Sequence, residues 1–353
     1  MDTQNALIAL LEQFPQAVFL AKDGIIVYAN HGARIRDVQV NTKIYDLITI
    51  GLPEYRQFSA GKLMLTVSVA GILYNTVVTR SGEYHLFCLE SEYARPEFKA
   101  YAAAAQYFRN PLANAEFNID QLLPDPSVQA SASAVAQIKA LKKNLYQINR
   151  AVRNMSDAAT ISKETPTESR NVTSVIAELI ENVNAKMAPI GRHIDFQPLE
   201  NGCFCQINRE NLERAILNLI SNAAKYSADN SNIQVSMRLS ANTLYISVEG
   251  TSDNCSNVLG SNLFSGFTRE PSLDSGSMGI GLGLTIVHGI ATAHKGTLLV
   301  DQPNESRLRF TISISVQTPS VFTVNSPKLH IDRAGGMDTV LLELSDILPA
   351  ELY

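Results

Sequence analysis

Apolar and polar positions along this chain change their spacing twice. Up to about residue 90, short strand-like runs such as "AVFLAKDGIIVYAN", "KLMLTVSVAGILYNTVVTR" and "YHLFCLE" alternate with turn signals. Asp23-Gly24 lies between two apolar runs, and a residue pair that accepts positive φ is the strongest short-range hairpin signal. A short helix over Ala6 to Phe14 precedes it. From Phe98 the spacing becomes helical: Phe98, Tyr101, Ala105, Phe108, Leu112, Ala115, Ile119 and Leu122 recur at alternating steps of 3 and 4, the seam of a coiled-coil-like helix. Prolines 124 and 126 in "LPDPS" stop that helix. A second seam follows at Ile138, Leu141, Leu145, Ile148, Val152 and Met155. Two such helices joined by a tight turn form an antiparallel hairpin with one bare apolar stripe, and dimerising into a four-helix bundle buries it.

Polar "SKETPTESRN" then reads as a linker, and a mixed pattern returns. "VTSVIAELIENVNAKM", "NRENLERAILNLISNAAKYS" and "GLTIVHGIATAHKG" read as helices, with "NIQVSMRL", "TLYISVEG" and "RLRFTISIS" as strands. The tail adds strand-like "SVFTV" and an amphipathic turn or helix, "MDTVLLELSDILP", to which the sequence attaches no chemistry. The fold class expected is multidomain α+β: a small one-sheet unit over 1–94, the hairpin over 95–163, an α/β unit over 170–317 and an extension over 318–353.

The chain has 353 residues, 45% of them hydrophobic and 18% charged, which suits packed domains. A formal net charge of -5 leaves no basic surplus to neutralise phosphates and argues against a nucleic-acid binder. No apolar run reaches the ~18–20 residues that span a bilayer, and the N-terminus lacks a signal-peptide pattern. A cytoplasmic protein with no membrane segment is expected. Of the four cysteines, Cys203 and Cys205 form a lone C-x-C with no second pair or nearby histidine, so reduced, partly buried thiols are expected in place of a zinc site.

Candidate chemistry sits in the α/β unit. In "NLERAILNLISNAAKYS", Leu212, Ala215, Ile216, Leu219 and Ala223 make the core face of a helix. Asn218, Asn222, Lys225 and Tyr226 share the opposite stripe. Amide oxygens suit Mg²⁺, and a lysine neutralises phosphate charge. A polar stripe is usually just solvated, so it carries little by itself. Further on, Gly279, Gly281 and Gly283 alternate before an apolar helix, where bare backbone and a helix N-terminus suit polyphosphate.

Together these segments resemble those of sensor histidine kinases. "NLISNAAKY" is similar to that family's N-box, "LFSGFTR" to its F-box and "GIGLGL" to its final glycine box. The resemblance implies a PAS-like sensor, a dimerisation and phosphoacceptor hairpin, and a two-layer α/β ATPase domain of GHKL type. It implies ATP or ADP with Mg²⁺ as ligand, Asn218 and Asn222 on metal and phosphates (Asn218 as metal ligand), Lys225 and Tyr226 assisting, and Gly279, Gly281, Leu282 and Gly283 on the phosphate side. It also implies a homodimer that meets a response regulator or another histidine kinase. No PAS cofactor is identifiable; His31, after Asn30, reads as a surface loop residue.

Two departures modify the expectation. The family's Asp-x-Gly-x-Gly box has an aspartate for the adenine amine, and this chain reads "EGTSDN", with Gly250 in that place and Ser252 at the first glycine. Glu249, one residue early on the strand, points to the opposite face. A lost charge-assisted hydrogen bond is worth roughly 1.5–3 kcal/mol, which weakens nucleotide binding and blurs adenine selectivity. Second, the acceptor segment His-Glu-x-x-(Thr or Asn)-Pro-Leu is here Gln106-Tyr107-Phe108-Arg109-Asn110-Pro111-Leu112. An amide has no nucleophilic lone pair comparable to imidazole, and Tyr107 is no base near neutral pH. None of the histidines lies on the hairpin, and His288 and His294 read as structural. The expectation is a pseudokinase that acts through dimerisation and partner contact, with no autophosphorylation. The alternatives are a response-regulator phosphatase using Asn110, an atypical ATP-dependent protein kinase, and a purely structural dimer.

Overall fold

The computed structural model describes residues 3–90, 96–158, 161, 167–227, 232–251, 281–304, 306–316 and 337–353. The N-terminal part comprises α1 (Thr3–Glu12), β1 (Ala17–Lys22), β2 (Ile25–Ala29), α2 (His31–Arg34), β3 (Ile48–Ile50), α3 (Leu52–Gln57), β4 (Lys62–Val69), β5 (Ile72–Ser81) and β6 (Tyr84–Leu89). Asp23 and Gly24 both take positive φ, 51° and 78°, and close the β1–β2 hairpin as their pairing demands. His31 opens α2 instead of lying in a loop. The Asn30 side chain caps that helix by accepting from Ala33 N, and also from Val18 N at 3.0 Å. On one face of this sheet the rings of Phe19 and Phe87 stack at 4.7 Å, and both are fully buried.

The hairpin consists of α4 (Pro96–Leu122), a short α5 (Pro126–Gln129) capped by Asp125, and α6 (Ala132–Asp157). Helix α4 runs through Pro111. Proline there removes one N–H and orphans the Tyr107 carbonyl, a cost that water relieves on an exposed surface. Ala105, Leu112 and Val152 form the seam between α4 and α6, with Leu145 and Met155 packed on it.

The third part holds β7 (Glu168–Asn171), α7 (Val172–Met187), β8 (Ile194–Gln197), β9 (Phe204–Ile207), α8 (Arg209–Tyr226), β10 (Ile233–Ser240) and β11 (Thr243–Thr251). It continues with α9 (Gly283–Ala293), β12 (Leu298–Asn304) and β13 (Arg307–Ser315); α10 (Thr339–Glu343) follows near the C-terminus. Helices α7, α8 and α9 lay apolar faces on one side of the sheet, and Ile180, Ile216, Ile246, Ile290 and Phe310 meet in one core. This is the α/β layering expected.

Among the described residues the strands form one eleven-stranded sheet in the order β2-β1-β6-β5-β4-β12-β13-β11-β10-β8, with β3 paired to β4 and β7–β9 a separate pair. The N-terminal sheet therefore joins the α/β sheet edge to edge. Leu298, Leu299 and Val300 of β12 face Met64, Leu63 and Lys62 of β4. Gly61, at φ +87°, precedes the junction because any Cβ there would collide with the Val300 carbonyl and lie 2.8 Å from Asp301 Cβ. Among the described residues no helix is long and apolar enough to cross a membrane.

Candidate functional site

Helix α8 begins at a capped N-terminus, where the Asn208 side chain accepts from Asn211 N at 3.0 Å. The Asn208 N–H in turn donates to His294 Nε2 at 3.0 Å. That acceptor role leaves the proton on His294 Nδ1, which donates to the Ile290 carbonyl at 2.7 Å. His294 is thus a neutral strut between α8 and α9, and burial holds its pKa below the ordinary value. His288 is buried deeper, and desolvation lowers it to about 4.

Along that stripe the structure places Asn218 in the interior, only 1% exposed, with Asn222, Lys225 and Tyr226 half-buried beyond it. Asn218 uses both ends of its amide. Its Nδ2 donates to the Arg214 carbonyl at 3.0 Å and to Glu343 Oε2 at 2.9 Å, and its Oδ1 accepts from Arg150 Nη2 at 3.1 Å. Gly283 lies against it: a Cβ added there would be 3.1 Å from Asn218 Oδ1. Gly281 turns the chain into α9 with φ 73°. So Asn218 and the Gly281–Gly283 segment converge, with Leu282 buried between the two glycines. Gly279, the F-box-like segment, Ser252 and Asp253 lie outside the described residues.

Gly250 sits on the β11 face that meets the end of α8. A Cβ there would collide with the Ser227 hydroxyl and approach the Ala223 carbonyl to 3.2 Å. The place an aspartate side chain would need is filled by Ser227, whose buried hydroxyl finds no hydrogen-bond partner among the described residues. Glu249 faces the other way and pairs with Arg307 at 2.5 Å, as strand alternation requires.

Around Asn218 the structure assembles groups that periodicity alone did not single out. Arg150 and Arg153 come from α6, Arg214 from α8, and Glu343 and Asp346 from the C-terminal segment. Glu343 is fully buried and Arg214 is 1% exposed. Arg150 Nε donates to Glu343 at 3.1 Å and its Nη1 to Asp346 at 2.8 Å. Lys225 Nζ also reaches Asp346, at 2.5 Å. Arg214 pairs with Asp157 at 2.6 Å and with Glu343 at 3.2 Å, and donates to Asn154 at 2.7 Å. Arg153 holds Glu210 at 2.7 Å and lies 3.8 Å from Glu343. Burial, with Arg214 alongside, lowers the Arg153 pKa from its usual value. One sequence signal was available: Arg214 is four residues before Asn218 on the same helical stripe. Nothing local marks Glu343 or Asp346.

On α4, Gln106 is exposed beside fully buried Ala105, and Asn110 is exposed as well. Arg109 donates across the hairpin to Ser156 at 2.8 Å. The acceptor-like segment is therefore open to solvent, and it presents an amide.

Residues 207–318 match the family described as histidine kinase-, DNA gyrase B- and HSP90-like ATPases. Among curated proteins, the sensor protein RstB of Escherichia coli is 32% identical over 121 residues, covering 34% of this chain and 28% of that protein. The sensor protein KdpD of the same organism is 24% identical over 297 residues, covering 81% of this chain and 32% of that protein. A solved structure of full-length ShkA in complex with AMPPNP aligns with a TM-score of 0.49 at 18% identity, covering 62% of this chain and 46% of that one. Residues 207–318 thus match a histidine kinase-, DNA gyrase B- and HSP90-like ATPase domain, and the chain's similarity to sensor histidine kinases extends beyond it. It spans about a third of the length of these curated relatives.

Proposed function

We propose that this protein is a two-component signalling pseudokinase: a dimer that relays a signal by contact and shape and passes no phosphoryl group of its own. One observation carries the reading. The position that aligns with the family's phosphoacceptor is Gln106, exposed on α4, and an amide forms no phosphoramidate comparable to that of imidazole. In this reading residues 1–94 are the PAS-like sensor, 95–163 the dimerisation hairpin, 170–317 the ATPase domain and 318–353 an extension that acts on it.

The dimer rests on apolar side chains left bare along the hairpin: Phe117 is 63% exposed, Leu141 53% and Ile148 47%. A second copy of the hairpin supplies the apolar cover they lack. The partner of the dimer is a response regulator or an active kinase docking at the Gln106 segment.

ATP or ADP is the ligand proposed for the face of α8. Lys225 and the bare backbone at Gly281 and Gly283 suit phosphates, and the amide oxygens of Asn218 and Asn222 suit Mg²⁺. Mg²⁺ would supply charge neutralisation of the phosphates. Asn218 Oδ1 presently accepts from Arg150, so holding the metal requires that this arginine withdraw. With Ser227 in the aspartate's place, adenine loses its usual acceptor, and binding is weak.

A second reading is favoured by Asn110, which is exposed one helical turn beyond Gln106 and able to orient water at a regulator's aspartyl phosphate. Decay of a phosphorylated receiver domain at equal rates with wild type and Asn110→Ala removes it. The main proposal is tested by incubating the purified chain with γ-labelled ATP and Mg²⁺. No acid-labile or acid-stable label is expected on the protein, and label on α4 or α6 would overturn the proposal.

A further inference from the structure

The C-terminal segment 337–353 lies on the site that the preceding section assigns to nucleotide. Its contacts divide into an apolar anchor and a charged tip. The anchor is Val340, Leu342, Leu344 and Leu348, all buried in the core shared with α6, α7 and α8. Tyr353 joins them, with its ring edge-on to Tyr146 of α6 at 5.0 Å and its hydroxyl donating to the Leu341 carbonyl at 2.8 Å. Asp338 caps α10 and also pairs with Lys186 of α7 at 2.8 Å. The tip is Glu343 and Asp346.

The charges show what the tip stands in for. Arg150, Arg153, Arg214 and Lys225 are four cations around Asn218. Among the described residues outside the C-terminal segment, Asp157 and Glu210 answer two of them. Counting these groups alone leaves two positive charges over, and Arg150 lies in a buried place where charge needs a close partner. Glu343 and Asp346 bring the cluster to neutrality. Their oxygens receive hydrogen bonds from Asn218 and Lys225, the two α8 side chains assigned to metal and phosphate. Two carboxylates a helical turn apart thus hold the donors that a polyphosphate would need.

We propose that residues 337–353 are a built-in competitor of nucleotide: the segment occupies the phosphate side of the ATPase site, and nucleotide binds only when the segment lifts away. This rests on the reading of the α8 face as a nucleotide site. It also explains how binding would be felt at a distance. Arg150 and Arg153 belong to α6, and Glu343 ties both of them to α8 through Arg214 and Asn218. Lifting the segment removes the Glu343 and Asp346 share of the link between hairpin and ATPase domain, leaves the direct Arg214–Asp157 and Arg153–Glu210 pairs, and frees Arg150 and Lys225 for the polyphosphate. When a competent state is only fractionally populated, apparent affinity falls by that fraction. A segment docked in 90–99% of molecules makes apparent binding about ten- to a hundredfold weaker than binding to the open site.

Calorimetric titration with Mg-ADP on three full-length proteins tests this. They are wild type, the anchor variant Leu348→Ala/Tyr353→Ala, and the tip variant Asp346→Asn. The anchor variant alters no residue of the site, yet it is expected to bind Mg-ADP at least about tenfold more tightly than wild type, with the tip variant between them. Equal dissociation constants in all three overturn the competition and leave nucleotide binding standing. Absence of binding in all three overturns the nucleotide reading, and the competition with it. Should the anchor variant fail to fold, amide exchange of wild type with saturating Mg-ADP decides. Faster exchange over 337–353 supports the proposal, and unchanged or slower exchange there, with ADP bound, overturns it.

Discussion

At position 250 the β11 backbone passes so close to the end of α8 that a side chain has nowhere to go. Restoring the family's aspartate by Gly250→Asp drives a carboxylate into the Ser227 hydroxyl and the Ala223 carbonyl. Overpacking of this kind costs typically about 1–3 kcal/mol, and Ser227→Gly in the same chain should recover most of it. Thermal denaturation of the single and double variants checks this; a single variant as stable as wild type would contradict it. Glu343 is the other sensitive residue. Glu343→Ala takes one of two carboxylate partners from each of Arg150 and Arg214, which keep Asp346 and Asp157, and should cost up to about 3–5 kcal/mol, the scale of a broken buried ion pair, measured by urea denaturation. The missing aspartate was legible in the sequence because strand parity fixes which residue faces α8. That Ser227 fills the gap was not, since it depends on how closely a strand and a distant helix end approach.

Elements were the most legible level. Both hairpin helices follow from their seams, the Asp23-Gly24 turn from its φ preference, and α8 from its core stripe, because each is set by spacing within one segment. The same stripe read one turn further back reaches Arg214, whose burial no local pattern announces. Apolar residues on the seam divide into those facing the other helix and those left bare, and only the bare ones bear on association. Phe117→Glu with Leu141→Glu should dissociate the proposed dimer in sedimentation without unfolding the hairpin; an unchanged dimer would move the interface elsewhere. In α9, His288 gives a dependence on pH. Its pKa of about 4 in the fold lies below the ordinary 6.5, so between these values the unfolded chain binds more protons and stability rises with pH. The contribution is fully present above about pH 6.5 and is lost as pH falls toward 4, amounting to roughly 3 kcal/mol. His288→Leu should flatten that part of the stability profile, and an unchanged slope would assign it to other groups.

For the molecule as a whole, the two sheets fuse through β4 and β12, and the C-terminal segment ties α6 to α8. Neither was legible. Edge-to-edge pairing of strands from opposite ends of the chain leaves no trace in either strand's pattern, and "LLELSD" reads as an ordinary amphipathic turn until Arg150, Arg214 and Lys225 are seen around it. Both links join the N-terminal sheet, the hairpin and the α/β unit through direct contacts. That suits a protein that signals through its contacts. Peptide-level mass spectrometry of the full chain after incubation with Mg-ATP in deuterated buffer is the most direct measurement. It should find no phosphate on residues 96–157 and faster exchange over 337–353. A phosphorylated peptide from that hairpin would contradict the central claim.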